Sequence, residues 1–283
     1  MMDNDRFNIR RMRREDIGIA VDWAAAEGWN PGLHDAECFA LADPLGFLIG
    51  EIDGEPAATI SNVNYDDRFS FLGFYIVRRD LRGRGYGLRI WQAALAYAGG
   101  RTVGLDGVVA QQSNYRKSGF VLAYRNIRYG GVVTASAGVP PGIADLREAS
   151  FAAIEADDAR VFPASRRAFL RAWINAPGHV GRTLIGDGGL KAWGVIRPCR
   201  KGFKIRPLVA GSRGDGEAVF TALAGAAGGG EIFLDVPEVN REAIALADNH
   251  DLRPVFQTAR MYNGSIRPVR IDRLYGVATF ELG

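Results

Sequence analysis

The sequence predicts an α/β (α+β) fold built as two tandem units. Three observations carry that reading: β-type runs and helical patterns interleave along the chain, their order occurs twice, and a Gly- and Pro-rich stretch at 130–142 separates the copies. At 283 residues each unit is long enough to bury its own core. The units are expected at 1–131 and 144–283, with 132–143 as linker.

In the first unit, Phe7 to Met12 alternates like a short strand, and Arg14-Glu15-Asp16 opens a helical pattern through Ile17, Val21 and Ala24. Turn formers follow from Glu27 to Gly32 around one large aromatic. That residue, Trp29, is either a core plug or a wall for a ligand. His34 to Ala42 predicts a second short helix. Phe47 to Ile52 and Pro56 to Tyr65 read as strands joined by Asp53-Gly54, a two-residue hairpin signal. Phe71 to Val77 is an apolar strand, Tyr86 to Ala98 an amphipathic helix and Thr102 to Leu105 a short interior strand. One or two helical turns (Gln111 to Ser118) and a strand (Phe120 to Tyr129) complete the unit.

The second unit repeats the order. Helical patterns at Leu146 to Asp157 and Ser165 to Asn175 precede a hairpin, Val180 to Ile185 and Leu190 to Arg197, turning at Asp187-Gly188. Phe203 to Ala210 then runs into Gly211-Ser212-Arg213-Gly214-Asp215-Gly216 and a helix ending near Ala227.

The loop Arg82-Gly83-Arg84-Gly85-Tyr86-Gly87 sits between an apolar strand and a helix, an arrangement suited to a phosphate. Its glycines let backbone N–H groups face inward, and the helix adds its positive end. With Arg82 and Arg84 present, the expected ligand is an anion.

Composition excludes other classes. The net charge of +3 is small, and the 31 Arg and four Lys are spread along the chain, so no nucleic-acid patch is expected. No run of 18 apolar residues occurs, and residues 1–16 are charged without an apolar segment behind them. A cytoplasmic protein off the membrane is expected. Cys38 and Cys199 read as free buried thiols, and His34, His179 and His250 lie apart from any ligand cluster, so no metal is expected.

An apolar strand, Arg82-x-x-Gly85-x-Gly87, a helix, a further strand and then Tyr115-x-x-x-Gly119-Phe120 together resemble the GNAT superfamily of acyl-CoA N-acyltransferases. The resemblance implies a mixed, mostly antiparallel central sheet flanked by helices in each unit, with acetyl-CoA as co-substrate. It implies that backbone N–H groups of Arg82, Gly83, Arg84, Gly85, Tyr86, Gly87 and Leu88 grip the pyrophosphate. It further implies that Tyr75, Ile76 and Val77 splay from the neighbouring strand to pair with the pantetheine arm, the acyl carbonyl lying near the Val77 N–H. Tyr115 matches the family tyrosine that protonates the departing thiolate, and a phenol suits that role because its ordinary pKa is close to a thiol's. Where many members carry an Asn seven residues before this Tyr, the chain has Val108, and Asn114 is the asparagine left to meet the cofactor.

In the second unit Gly214 and Gly216 overlay the later loop glycines, but Gly211 replaces the Arg, Asp215 replaces Tyr86, and Ala247 stands where the tyrosine belongs. The whole chain therefore resembles a bacterial group of tandem GNAT proteins whose second domain is degenerate. Asp106 and Glu27 lead as candidates for the base that would strip an ammonium proton, each readable equally as a solvated carboxylate or a cap. Trp29 and Asn30, with Arg260 and Tyr262 from the second unit, are the expected acceptor-binding residues. The expected partner is a small-molecule amine (amino sugar, polyamine, amino acid or drug-like amine), with a protein amine or a non-catalytic acyl-CoA sensor as alternatives, and the expected state is monomer or homodimer.

Overall fold

A computed structural model describes residues 6–134, 138–186 and 188–283. Part of the expected linker (135–137) and Asp187 of the expected turn lie outside the described residues. The first half runs β1 (Phe7–Arg11), α1 (Ile17–Ala26), α2 (Asp35–Ala40), β2 (Phe47–Ile52), β3 (Glu55–Asn64), β4 (Phe69–Val77), α3 (Tyr86–Ala98), β5 (Thr102–Val108), α4 (Gln112–Lys117) and β6 (Val121–Val132). The second runs β7 (Ile143–Asp145), α5 (Phe151–Val161), α6 (Arg167–Asn175), β8 (Val180–Gly186), β9 (Gly189–Pro198), β10 (Phe203–Ala210), α7 (Arg213–Gly225), β11 (Glu231–Pro237), α8 (Arg241–Asn249), β12 (Arg253–Tyr262) and β13 (Leu274–Gly276).

Local chemistry accounts for most boundaries. Asp53 and Gly54 both take positive φ, 53° and 83°, the geometry that lets a two-residue turn match strand twist between β2 and β3. The helix expected from Leu146 begins only at Phe151, because Asp145 caps a separate 3₁₀ turn over Leu146–Glu148 first. The short strands β7 and β13 lie outside the sequence expectation. Too few residues alternate in either to leave a period.

All strands join one mixed sheet, ordered β1-β2-β3-β4-β5-β12-β6-β11-β10-β9-β8-β7, with β13 beside β10. Among the described residues only β4–β5 and β10–β11 pair in parallel. The two halves exchange their last long strands. β12, from the second half, lies on β5 (Arg260 opposite Asp106), while β6, from the first, lies on β11 (Arg128 opposite Asp235). The cores follow the exchange: Ala259 and Met261 of β12 are buried with Ile90, Trp91 and Leu105 of the first half. A second core joins α1 and α2 to α5 and α6, where the rings of Phe39 and Trp173 stack 6.1 Å apart.

Candidate active site

β4 and β5 stay paired from Phe69–Thr102 to Leu72–Leu105 and then separate. The cause is visible on the other edge of β4. A bulge places Phe74 and Tyr75 opposite the single residue Ile60 of β3, and Phe74 adopts φ 49°, a left-handed conformation that costs a bulky residue about 1–2 kcal/mol. The Thr59 hydroxyl donates to the Phe74 carbonyl at 2.9 Å and holds the bulge. Past it, Tyr75, Ile76 and Val77 lean away from β5, and a cavity of about 550 Å³ opens in the fork.

One side of the cavity is the loop before α3. Gly83 and Gly85 take φ of 78° and 87° with open space where a Cβ would stand, so backbone conformation selects glycine there. At Gly87 the demand is proximity, since a Cβ would come 2.6 Å from Tyr75 Oη. Tyr86, Gly87 and Leu88 open α3, so their N–H groups lack intrahelical partners and end the helix with positive polarity. Tyr86 itself is buried against Phe7, ring centroids 4.8 Å apart, and serves the core while its backbone serves the loop. Arg84 does not line the cavity, whereas Arg82, Gly83, Gly85, Gly87 and Leu88 do.

Tyr115 reaches the cavity from α4. Its ring stacks on Trp91 (5.6 Å, 21°) and lies over Gly107, where any Cβ would fall 2.2 Å from Tyr115 Cε2. Burial, and then the neighbouring Tyr75, push its phenol up to about 12, while a backbone bond at Val108 pulls the other way. The phenol therefore keeps its proton at neutral pH and is available as a proton donor. Asn114 bonds Gln111 (2.7 Å) and Lys117 (3.3 Å) on the exposed side of α4; Gln111 takes the place on the cavity wall.

Both candidate bases are already engaged. Glu27 lines the cavity, but its Oε1 accepts from Arg82 Nη2 at 2.7 Å and Arg79 Nε at 3.2 Å. Burial raises this carboxylate, and the two guanidiniums more than offset it, leaving it below the usual range. Asp106 has no exposed side-chain surface and accepts two bonds from Arg260 (2.9 and 2.6 Å) and one from Asn126 (2.8 Å).

That pairing settles where Arg260 lies: it meets Asp106 across the β5–β12 ladder and stacks 5.0 Å from Phe71, away from the cavity lining. Tyr262 packs with Phe69, Phe71 and Phe162 in a small core, also outside the lining. Asn30, at φ 53°, turns from the cavity and exchanges two bonds with the Lys201 backbone (2.8 and 2.9 Å). Of the four expected acceptor residues Trp29 lines the cavity. Its carbonyl accepts from Arg128 Nη1 (3.0 Å) and Lys204 Nζ (2.9 Å), both buried, Arg128 being paired with Asp235. Burial drives the Lys204 ammonium well below its ordinary pKa and Arg206 beside it to about 9.

The cavity also has walls that sequence reasoning missed: Phe74, Phe256, Thr258 and Phe280. Nothing local in the segment Phe280-Glu281-Leu282-Gly283 says that its backbone runs under β4. There the Glu281 carbonyl lies where a Gly73 Cβ would meet it at 2.0 Å.

The second half lacks this geometry. Residues 213–216 form the first turn of α7, and Ser212 caps it, accepting from the Asp215 N–H at 3.3 Å. Its fork is filled: where β10 leaves β11 after Ile205, β13 pairs with Leu208 and Val209. Among the described residues no group of three or more His, Cys, Asp or Glu could hold a metal, and no helix is long and apolar enough to cross a membrane.

Comparison with known proteins gives the same picture over the full length. Residues 11–120 match the acetyltransferase (GNAT) family model, and 154–276 match an acetyltransferase (GNAT) domain model. A protein of Pseudoalteromonas sp. (strain SANK 73390) named holothin acyltransferase is 31% identical over 285 residues, covering 100% of this chain and 97% of that one. The structure of a presumed acetyltransferase from Pyrococcus horikoshii superposes with a TM-score of 0.84 at 23% identity, covering 100% of this chain and 98% of that one. A tandem GNAT protein from the clavulanic acid biosynthesis pathway shares the fold at TM-score 0.63 and 14% identity, with 92% and 99% covered.

Proposed function

We propose that this chain, which belongs to the GNAT acyltransferase family, transfers an acetyl group from acetyl-CoA to the amine of a small molecule by direct attack on the thioester. The observation that carries the reading is the fork between β4 and β5. It brings the Val77 backbone, the glycine loop and the Tyr115 phenol onto one cavity.

The residues present fit the co-substrate. Left-handed Gly83 and Gly85 and the open N-terminus of α3 suit a pyrophosphate. The strand edge at Tyr75 to Val77, unpaired on its β5 side, suits a pantetheine amide. The Val77 N–H would polarise the carbonyl and steady the developing oxyanion, and Tyr115 would supply the proton for the leaving sulfur. Residues 1–131 thus carry the chemistry and 144–283 shape the acceptor side, through Phe256, Thr258 and Phe280.

A mostly apolar cavity walled by Trp29, Phe74, Phe256 and Phe280 favours a small acceptor over a protein segment, and a phenol on that cavity favours turnover over sensing. Because a relative over its full length is named holothin acyltransferase, holothin is the first acceptor to try. The test is thiol release from acetyl-CoA across an amine panel, with the Tyr115→Phe variant alongside. The expected result is turnover with at least one amine, with kcat lowered about 100-fold in the variant and the KM for acetyl-CoA within twofold. Saturable acetyl-CoA binding without thiol release from any amine would replace the enzyme reading with the sensor.

A further inference from the structure

Resting on the acyl-transfer reading above, we propose that the acceptor is a planar, weakly basic aromatic or heteroaromatic amine, uncharged at neutral pH. Thr258 is the polar anchor that orients it.

The first argument is charge. Among the described residues three charged residues line the cavity, Glu27, Arg82 and Asp106, and the Asp106 carboxylate has no exposed surface of its own. Each is already matched, Glu27 with Arg82 and Arg79, Asp106 with Arg260 and Asn126, and Arg82 also with the Val77 carbonyl at 2.9 Å. A polyamine would bury ammonium groups with no carboxylate left for them, and an amino acid would bury a carboxylate with no free cation. Neither desolvation cost is repaid. An amino sugar would ask for partners along its whole edge, and away from the glycine loop the walls are mostly aromatic.

Shape is the second argument. Away from the glycine loop, the walls are Trp29, Phe74, Phe256 and Phe280. Phe256 and Phe280 lie 6.4 Å apart, tilted by 39°. Behind them, outside the lining, the Arg128 guanidinium lies 5.4 and 5.0 Å from the two rings, and that of Arg206 lies 4.5 Å from Phe280. Rings whose π-faces already serve cations have less to offer a second cation and still stack on a neutral, electron-rich ring. Within this wall the buried Thr258 hydroxyl has no hydrogen-bond partner among the described residues. A buried polar group left unpaired is costly, so a ligand group that meets it is strongly selected.

Chemistry supplies the third. An alkylamine arrives protonated and needs a base, yet the Glu27 carboxylate is tied to two guanidiniums and that of Asp106 is buried against a third. An aromatic amine arrives neutral. Its nitrogen lone pair forms the N–C bond to the thioester carbonyl carbon, the C–S bond breaks with its electron pair going to sulfur, and Tyr115 gives its proton to that sulfur. The proton released by nitrogen returns to the Tyr115 phenolate, so the products are an amide and a thiol with no further reactant.

The test compares 5-aminoindole and p-anisidine with spermidine, glucosamine and lysine by thiol release between pH 6 and 9, and measures 5-aminoindole binding to the coenzyme A complex by calorimetry. Expected are kcat/KM values at least 100-fold higher for the arylamines, a rate nearly flat with pH, and saturable binding. Thr258→Val should raise the arylamine KM at least fivefold and leave the KM for acetyl-CoA within twofold. Turnover confined to the alkylamines, or a rate rising tenfold per pH unit for the best acceptor, overturns this proposal and leaves acyl transfer standing. Thiol release from no amine overturns acyl transfer itself; calorimetry then still decides the pocket, binding supporting a planar ligand and no binding overturning it. An unchanged arylamine KM in Thr258→Val removes the anchor.

Discussion

Replacing Asp106 with asparagine separates a base from a brace. Asp106 and Arg260 have side-chain exposures of 0% and 4%, and the guanidinium makes two bonds to the carboxylate. Asp106→Asn keeps the shape and one acceptor oxygen but leaves Arg260 buried beside no countercharge. Breaking one partner of such a pair costs about 3–5 kcal/mol. For a chain this size each kcal/mol lowers Tm by about 2–4 °C, so the loss should be roughly 6–20 °C by calorimetry. The double variant Asp106→Leu, Arg260→Met removes both charges and should recover most of that loss. Activity should track stability, with kcat in the double variant within about tenfold of the parent, a span of about 1.4 kcal/mol in barrier. A single variant that melts within 1 °C of the parent while losing 100-fold in kcat would refute this reasoning and make Asp106 the base.

Other outcomes are as specific. Gly85→Ala, at φ 87°, should cost about 1 kcal/mol in stability and weaken coenzyme A binding, whereas Gly100→Ala, with nothing near its Cβ, should be silent in both by denaturation and calorimetry. Ser212→Ala should cost about 1 kcal/mol through the lost cap of α7 yet leave the acetyl-CoA Kd within twofold; a larger change in Kd would mean a second binding site. Burial, and then Arg197, hold the His179 imidazole down to about 3, against 6.5 when unfolded. Between those values the unfolded chain binds a proton that the folded one refuses, so stability falls as pH falls, by about 1.4 kcal/mol per unit from pH 6.5 towards 3. His179→Asn, which has nothing to titrate, should remove this much of the pH slope of the unfolding free energy measured in urea, and an unchanged slope would rule His179 out.

What was legible in the sequence is what is local. The loop from Arg82 to Gly87 announces itself because two of its glycines hold positive φ and a third allows close approach. The strand before it is uniformly apolar because it is covered on both faces. Tyr115 stands out by its spacing from Gly119 and Phe120. By contrast, Arg260 and Tyr262 read as acceptor residues because a strand's alternation says which side chains share a face but not what lies opposite, and here Arg260 meets Asp106. The stopper strand β13 and the tail under Gly73 were invisible for the same reason: both act through backbone contacts with segments remote in sequence. Glu27, expected as a base, lines the cavity, but it is paired with Arg82, a residue expected on the pyrophosphate.

The strand exchange also sets a timetable. Thr258 pairs with Val108, so β5 must wait for 150 further residues to be made before its neighbour exists. At ribosomal speeds of about 5–20 residues per second, that is roughly 8 to 30 s during which an apolar strand edge stands open on a half-made protein. Partial chains ending anywhere before residue 262 should therefore be sticky, whatever the quality of the core already laid down.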